Sequence, residues 1–386
     1  QMKERRDKLS EAEDAYVIAL ELESNHGFAY LGLGRVQSKL ERVKEALKSI
    51  EKSISLLSDD YRPYMVRGDI YFGIGDYERA DAKGYSKAVN IRPDLKNGWR
   101  KLAKVYRSQD KKELLIMALS RILEIDSEDQ AALWERAECH FDEKKLGDSM
   151  GDIHRLLALN PGNQKARKFK AKILEKVKKY KDALENYKIS LQLSEPNSYI
   201  FFRISKCYKK LNNKKLFIEF IKKALREEPG NEKAWVYLIN FYLKKNNLRQ
   251  SRYLSKKALD NNHNSLKIIE LNAITSISVG NRIEAIRYYK EIIDIQENQS
   301  WKIWKSLLKC VLEIEEWSEL LRLSLRAKKY FPNKSFLDFT ISGCLLKDGK
   351  LNEAIYFYQS GSKSSKIPSK LRKYFPEFTD NKALLI

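Results

Sequence analysis

The stretch Gly68–Ala80 reads GDIYFGIGDYERA. Gly75–Asp76 forms a tight turn pair in its middle, and apolar residues recur at helical spacing on either side. The spacing predicts two amphipathic helices of about 12–14 residues joined by that turn. Stepping from Ala80 by 34 or 35 residues in both directions reaches Ala12, Ala46, Leu115, Ser149, Ala183, Phe217, Ser251, Ala285, Leu320 and Ala354. Twelve residues before these positions stand small or apolar residues, as at Gly34, Gly68, Ala103, Ala137, Ala171 and Ala273. An aromatic precedes many of them, at Tyr30, Tyr64, Trp99, Phe201, Trp235 and Trp304. Another alanine recurs seven residues on, at Ala19, Ala224, Ala258 and Ala327. Pro93, Pro161, Pro229 and Pro332 close units, with Pro196 one place late, where a missing N–H costs least. Gly280–Asn281 and Gly349–Lys350 repeat the inner turn.

A lone helical hairpin cannot bury both of its faces, so a sustained period of this kind implies stacked neighbours sharing one core. The pattern resembles the tetratricopeptide repeat family, whose unit is 34 residues. The resemblance rests on Tyr64, Gly68, Tyr71, Gly75, Tyr77, Ala80 and Pro93 in one unit. Trp99, Leu102, Ala103 and Tyr106 mark the next, and Trp235, Leu238, Tyr242 and Ala258 a later one. It implies an all-α fold, a right-handed superhelical α-solenoid of about ten and a half helix-turn-helix repeats whose first helices line a concave groove. The unit of Ala80 carries one extra residue before Ala88. Leu115, Ser149, Phe217 and Leu320 replace the second-helix alanine, which implies local changes of packing within the same fold. Residues 1–24 read as the second helix of a truncated N-terminal repeat, 25–365 as ten tandem repeats, and 366–386 as a C-terminal capping segment in which Leu371, Tyr374 and Phe375 cover the last repeat.

Composition narrows the functional classes. The chain has 386 residues, 74 Lys and Arg against 52 Asp and Glu, and a formal charge of +22. With 43% hydrophobic residues and only 8 Pro and 16 Gly, it is neither disordered nor collagen-like. No apolar run is long enough to span a membrane. No apolar stretch follows the basic N-terminal residues, so no secretory signal is read there. Cys139, Cys207, Cys310 and Cys344 share one repeat position that Val36, Ile70, Val105, Ile173 and Phe241 fill elsewhere. They are expected to be small buried hydrophobes too far apart to pair. Unpaired thiols fit a reducing compartment such as the cytoplasm, and a periplasmic setting stays open.

No cofactor or metal is expected. His26, His140, His154 and His263 lack partners at ligand spacing, and Gly32-x-Gly34 and Gly73-x-Gly75 follow no strand. The reading is therefore not an enzyme.

The resemblance places ligand-facing residues at the second, fifth, ninth and twelfth places of each first helix. Those places hold Arg100, Lys104 and Arg107, then Lys165, Lys168 and Lys172, then Lys206 and Lys209, and later Lys302, Lys305 and Lys309. Such i, i+4 ladders put positive charge on one helical face. Aromatics are interleaved at Phe72, Trp134, Phe141, Tyr199 and Phe202. A protein partner with acidic segments is the expected ligand, attracted over a Debye length and anchored by rings. Joint charge reversal of Lys168, Lys172 and Lys206 is expected to abolish capture without unfolding the array. The alternatives are solvated lysines with no ligand, the interaction array of a larger enzyme such as a glycosyltransferase or protease, and an RNA-binding solenoid. The last is suggested by the charge and by Trp301-Lys-Ile-Trp304, which faintly resembles the Trp-rich first helices of half-a-tetratricopeptide proteins. The expected role is a non-catalytic scaffold within a larger assembly, with a bacterial cell-envelope motility or secretion machine as the setting that composition suggests. Its oligomeric state is left open.

Overall fold

The computed structural model describes residues 2–193, 195, 197–364, 366–376 and 378. Pro196 and residues 379–386, the end of the expected capping segment, lie outside the described residues. The chain divides into two compact units, Gln1–Glu195 and Pro196–Ile386. Among the described residues every regular element is helical. The first unit opens with the helix Met2–Leu22. Five hairpins follow, whose first helices are Gly27–Lys39, Tyr61–Gly73, Lys96–Ser108, Gln130–Asp142 and Gln164–Lys176. The second unit holds five more, beginning at Ser198–Lys210, Glu232–Lys244, Leu266–Ser278, Trp301–Glu313 and Ser335–Lys347, then a short helix Ser369–Tyr374. Each of these first helices is 13 residues long, so the repeat register is a register of helix starts.

The small-residue ladder is the contact line between helices. Ala46, Ala80, Ala183, Ala285 and Ala354 are fully buried, as are Ala103, Ala137, Ala171 and Ala273 on the facing helices. Where serine replaces alanine, its hydroxyl finds a nearby carbonyl: Ser149 Oγ donates to the Ala137 carbonyl and Ser342 Oγ to that of Ala354, both at 2.8 Å. A buried polar group so satisfied costs little. Phe217 and Leu320 are also fully buried, so the larger residues at this place pack into the core.

Each hairpin turns on one residue with positive φ at its fifteenth place. Gly75, Gly280 and Gly349 serve three repeats; Glu41, Asp110, Lys144, Lys178, Asn212, Asn246 and Glu315 serve the other seven. Around Lys144 the Lys145 N–H donates to the His140 carbonyl at 2.8 Å and the Lys144 N–H to that of Phe141 at 3.1 Å. These bonds close the helix end through backbone groups alone.

The two steps of 35 residues are absorbed differently. After Ala80 the chain forms a π-helical turn, Ala80–Tyr85, between the helical segments Tyr77–Arg79 and Ser86–Ile91. One extra residue inside a helix widens a single turn to i→i+5 bonding and leaves the flanking register intact. Gly84 sits so close to Gly68 that a Cβ there would lie 2.3 Å from the Gly68 Cα. Tyr85 is fully buried and donates its hydroxyl to Asp69 at 2.5 Å, while Arg67 Nε donates to the Lys83 carbonyl at 2.8 Å. The second extra residue, before Trp301, lengthens the connector after Arg282–Ile295.

Near the end of the second unit, Leu371 and Phe375 are fully buried and Tyr374 packs beside them against the same cluster. The Phe375 ring lies 5.3 Å from that of Trp317 and over Gly343, where a Cβ would approach it to 2.6 Å.

Candidate partner-binding face

Within the first unit, the expected row Arg100–Lys104–Arg107 is not an open cationic strip. Arg100 pairs with Asp129, which also takes Lys96 at 2.9 Å, and Arg107 Nε donates to Glu135 at 2.6 Å. Lys101 likewise meets Asp69 at 2.8 Å. The acids stand on the neighbouring repeats, 28 to 33 residues away, so pairing runs across helices and offsets charge that looks uncompensated along one helix. Asp129 also accepts the Ala132 N–H at 3.1 Å as the N-cap of Gln130–Asp142. Burial alone would raise its pKa, but the Lys96 and Ala132 hydrogen bonds and the Arg100 charge outweigh that and hold it below the ordinary range. Lys104 is exposed and has no carboxylate partner among the described residues.

The next two first helices hold a different arrangement. Trp134 and Phe141, half-buried on Gln130–Asp142, flank Phe169 of Gln164–Lys176, with ring centroids 5.1 and 5.2 Å apart. The Lys165 ammonium sits 3.9 Å above the Trp134 ring, and that of Lys172 lies 4.4 Å above Phe141 and 5.3 Å from Phe169. Lys168, between them in register, is half-exposed and meets no carboxylate among the described residues. Cation–π contact orders an ammonium without neutralising it. The result is a three-ring platform with two lysines held over it and Lys168 between them in register.

In the second unit Tyr199 is exposed, and Phe202 packs edge-on against Tyr237 at 5.7 Å. Lys206 lies 5.9 Å from the Phe202 ring. Lys209 is enclosed: its ammonium sits 3.8 Å above Tyr237, with Phe217 at 5.4 Å and Phe241 at 5.9 Å. Burial chiefly, with help from Lys244 and Lys210, pushes its pKa below the usual lysine value. Lys302 donates to Glu270 at 3.1 Å, and Lys267 reaches the same carboxylate at 2.5 Å. Burial works against the charged form of Glu270, yet those two bonds hold its pKa down. Lys302 therefore shares one carboxylate with Lys267, whereas Lys305 meets none among the described residues and Lys309 is half-buried.

The tryptophan pair that suggested RNA is core. Trp304 is fully buried, stacked 6.5 Å from Tyr330, and Trp301 packs against Phe331 and Phe336. Trp304 offers no free stacking face, and Trp301 is partly buried against the same cluster. Cys207, Cys310 and Cys344 are buried and Cys139 half-buried. Desolvation pushes the Cys310 thiol up to about 11 and that of Cys344 to about 12.

Residues missed at the sequence level are the acids Asp129, Glu135 and Glu270 and the rings Phe169, Tyr237 and Phe241. No single repeat place finds the acids: Asp129 closes the unit of Arg100, Glu135 is at the sixth place of the unit after Arg107, and Glu270 is at the fifth place of the unit before Lys302.

The tetratricopeptide repeat family profile matches residues 29–59 and 198–231, one stretch in each unit. The chain is a tandem tetratricopeptide-repeat array. Among solved structures, Naa15/Naa10 bound to HypK-THB aligns with all of this chain over 66% of its own length, at 13% identity and a TM-score of 0.56. MamA protein aligns with 45% of this chain and 94% of its own at 20% identity (TM-score 0.40), and yeast Tom70 with 99% and 93% at 15% identity (TM-score 0.39). The first of these likenesses concerns the fold. No curated protein matches the chain. Among the described residues no helix of the array is long and apolar enough to cross a membrane.

Proposed function

We propose that this repeat array is a non-catalytic interaction scaffold that captures acidic peptide segments on the first-helix face of its first unit. The observation that carries the reading is the platform of Trp134, Phe141 and Phe169 under Lys165, Lys168 and Lys172, whose ammoniums have no carboxylate partner among the described residues. The rings hold two of the lysines in place, which lowers the entropy lost when a ligand binds. Their charge stays available for an extended acidic chain, with the steering and salt dependence that implies. The neutralised row at Arg100 and Arg107 borders the platform and adds no further attraction. In the second unit, Lys206 and Lys305 are the secondary contacts. The proposed setting is a multiprotein assembly, and a cell-envelope motility or secretion machine in a bacterium is the one composition suggests.

The test is fluorescence anisotropy with a labelled poly-Glu peptide. Wild-type chain should bind it with an affinity that falls between about 0.05 and 0.2 M salt. Lys165→Glu/Lys168→Glu/Lys172→Glu should lose that binding while keeping its helical circular dichroism. Undiminished affinity in the folded triple variant removes the platform as the site. A preference for single-stranded RNA, lost in the same variant, would replace the peptide reading with nucleic-acid binding.

A further inference from the structure

A second recognition surface lies on the other side of the hairpins. Between consecutive second helices each unit leaves a cleft above the connector, and equivalent repeat places line it in both units. In the first unit, between Leu146–Leu159 and Tyr180–Gln192, Arg167, Lys170 and Lys179 share the cleft with Asp182 and Glu185, so two of the three positive charges are offset. In the second unit the corresponding cleft lies between Lys214–Glu227 and Leu248–Asn261 and encloses about 510 Å³. The backbone setting is alike: Arg167 Nε donates to the Pro161 carbonyl at 3.3 Å, and Trp235 Nε1, at the same place, to that of Pro229 at 2.7 Å.

The side chains have changed character. Trp235 and Leu238 replace Arg167 and Lys170, turning the floor apolar. Gln250 and Tyr253 replace Asp182 and Glu185, removing both acids. Lys222, Arg226 and Lys257 supply three cations around the rim, all exposed and without a carboxylate partner among the described residues. Tyr253 is 60% exposed, a large ring left in water beside them. Elsewhere in the array, as at Arg107–Glu135 and Arg252–Glu284, bases and acids of adjacent repeats pair. Here the acids are absent from the places where the sister cleft has them.

We propose that this cleft is a second docking site, separate from the first-helix platform, for an acidic segment of a partner protein whose carboxylates flank one apolar side chain. The apolar side chain lies against Tyr253 and the Trp235–Leu238 floor, and carboxylates meet Lys222, Arg226 and Lys257. The cationic rim selects the charge of the segment and the floor selects the apolar anchor. A scaffold with such a site engages two acidic segments at once, one on each unit.

The experiment uses the full chain and a short fluorescein-labelled peptide of Glu residues around a central Leu, with a Gln-for-Glu counterpart. Four proteins are titrated: wild type, Lys222→Glu/Arg226→Glu/Lys257→Glu, Tyr253→Glu (which restores the acid found in the sister cleft), and the Lys165/Lys168/Lys172 charge reversal. The substituted side chains lie at the surface, and unchanged circular dichroism confirms folding. The expected result is binding of the Leu-centred peptide that survives in the platform variant. It weakens about tenfold or more in both cleft variants, equivalent to about 1.4 kcal/mol, and is absent for the Gln peptide. Equal affinity in the cleft variants, binding lost only with the platform, or no saturable binding overturns the proposal. So does tighter binding of poly-uridylate that vanishes in the cleft triple variant, which assigns the rim to nucleic acid. The platform and cleft variants fail separately, so loss of either site leaves the other readable.

Discussion

The positive-φ turns make the most direct prediction about stability. Lys144 and Lys178 hold φ of 62° and 64° at the hairpin turns of the first unit, and both side chains are exposed. An L-residue in this region crowds its Cβ against the following carbonyl at about 1–2 kcal/mol. Glycine removes that crowding, but its freer unfolded chain returns about 0.5–1 kcal/mol. The hydrogen bonds at these turns are backbone bonds that glycine retains, so the net gain is about 0.5–1 kcal/mol per site. Lys144→Gly/Lys178→Gly should therefore stabilise by about 1–2 kcal/mol. For a unit the size of Gln1–Glu195 that corresponds to roughly 2–8 °C in Tm. The assay is thermal and urea unfolding of the full chain followed by helical circular dichroism. Two controls separate local strain from a general tolerance of glycine. Gly280→Ala, at φ 83°, should cost about 1–2 kcal/mol. Asn212→Gly should change little, because asparagine enters this region more readily. Destabilisation by the lysine-to-glycine pair, or an equal gain at Asn212, refutes the assignment of strain to the Cβ.

Three further outcomes follow. Asp129→Ala should destabilise by about 1–2 kcal/mol through the lost N-cap, with Lys96 and Arg100 stranded beside it. Its depressed pKa means the carboxylate's contribution is present above the unfolded value near 3.9 and lost as pH falls through the folded one. Stability from pH 7 to 3 should thus fall less steeply in Asp129→Asn than in wild type, and identical slopes would rule the linkage out. Cys310 and Cys344, pushed up to about 11 and about 12, should resist Ellman's reagent at pH 8 until the chain is unfolded; rapid native labelling contradicts their burial. Gly84→Ala should cost about 1–3 kcal/mol by forcing a methyl into the Gly68 backbone, measured as a lowered urea midpoint.

Much of the fold is legible from the chain because the tetratricopeptide hairpin puts its tightest contacts at fixed places. Alanine at Ala46, Ala80 or Ala183 is an excluded-volume requirement, and a residue that must be small repeats visibly. The extra residue before Ala88 is equally visible, but not its fate. A π turn and a longer connector both restore the register, and close packing of Gly84 on Gly68 accompanies the first choice. The candidate face was less legible for a related reason. A base ladder along one helix is local information, whereas the acids that pair with it come from an adjacent repeat, as Asp129 does for Arg100 and Glu270 for Lys302. Lys209 shows the same limit. Its box combines Phe217 of its own hairpin with Tyr237 and Phe241 of the next, so its enclosure is a property of two repeats.

The formal charge of +22 is therefore a poor guide to where a ligand is held. What matters is which cations lack an acid at the pairing place one repeat away. Lys165 and Lys172 meet rings there instead, and Lys168 meets no carboxylate among the described residues. Along the second helices, the same repeat places hold Asp182 and Glu185 in one unit but Gln250 and Tyr253 in the other. Because the backbone repeats, each place has an internal reference, and a change of charge there is not imposed by the fold. Removing two acids while adding a tryptophan floor changes the chemistry of a cleft at no cost to the small-residue contacts beneath it. Selection for a ligand can act on such places without disturbing the hairpin, and this makes the unbalanced cleft and the lysine platform the positions where substitution should separate binding from folding.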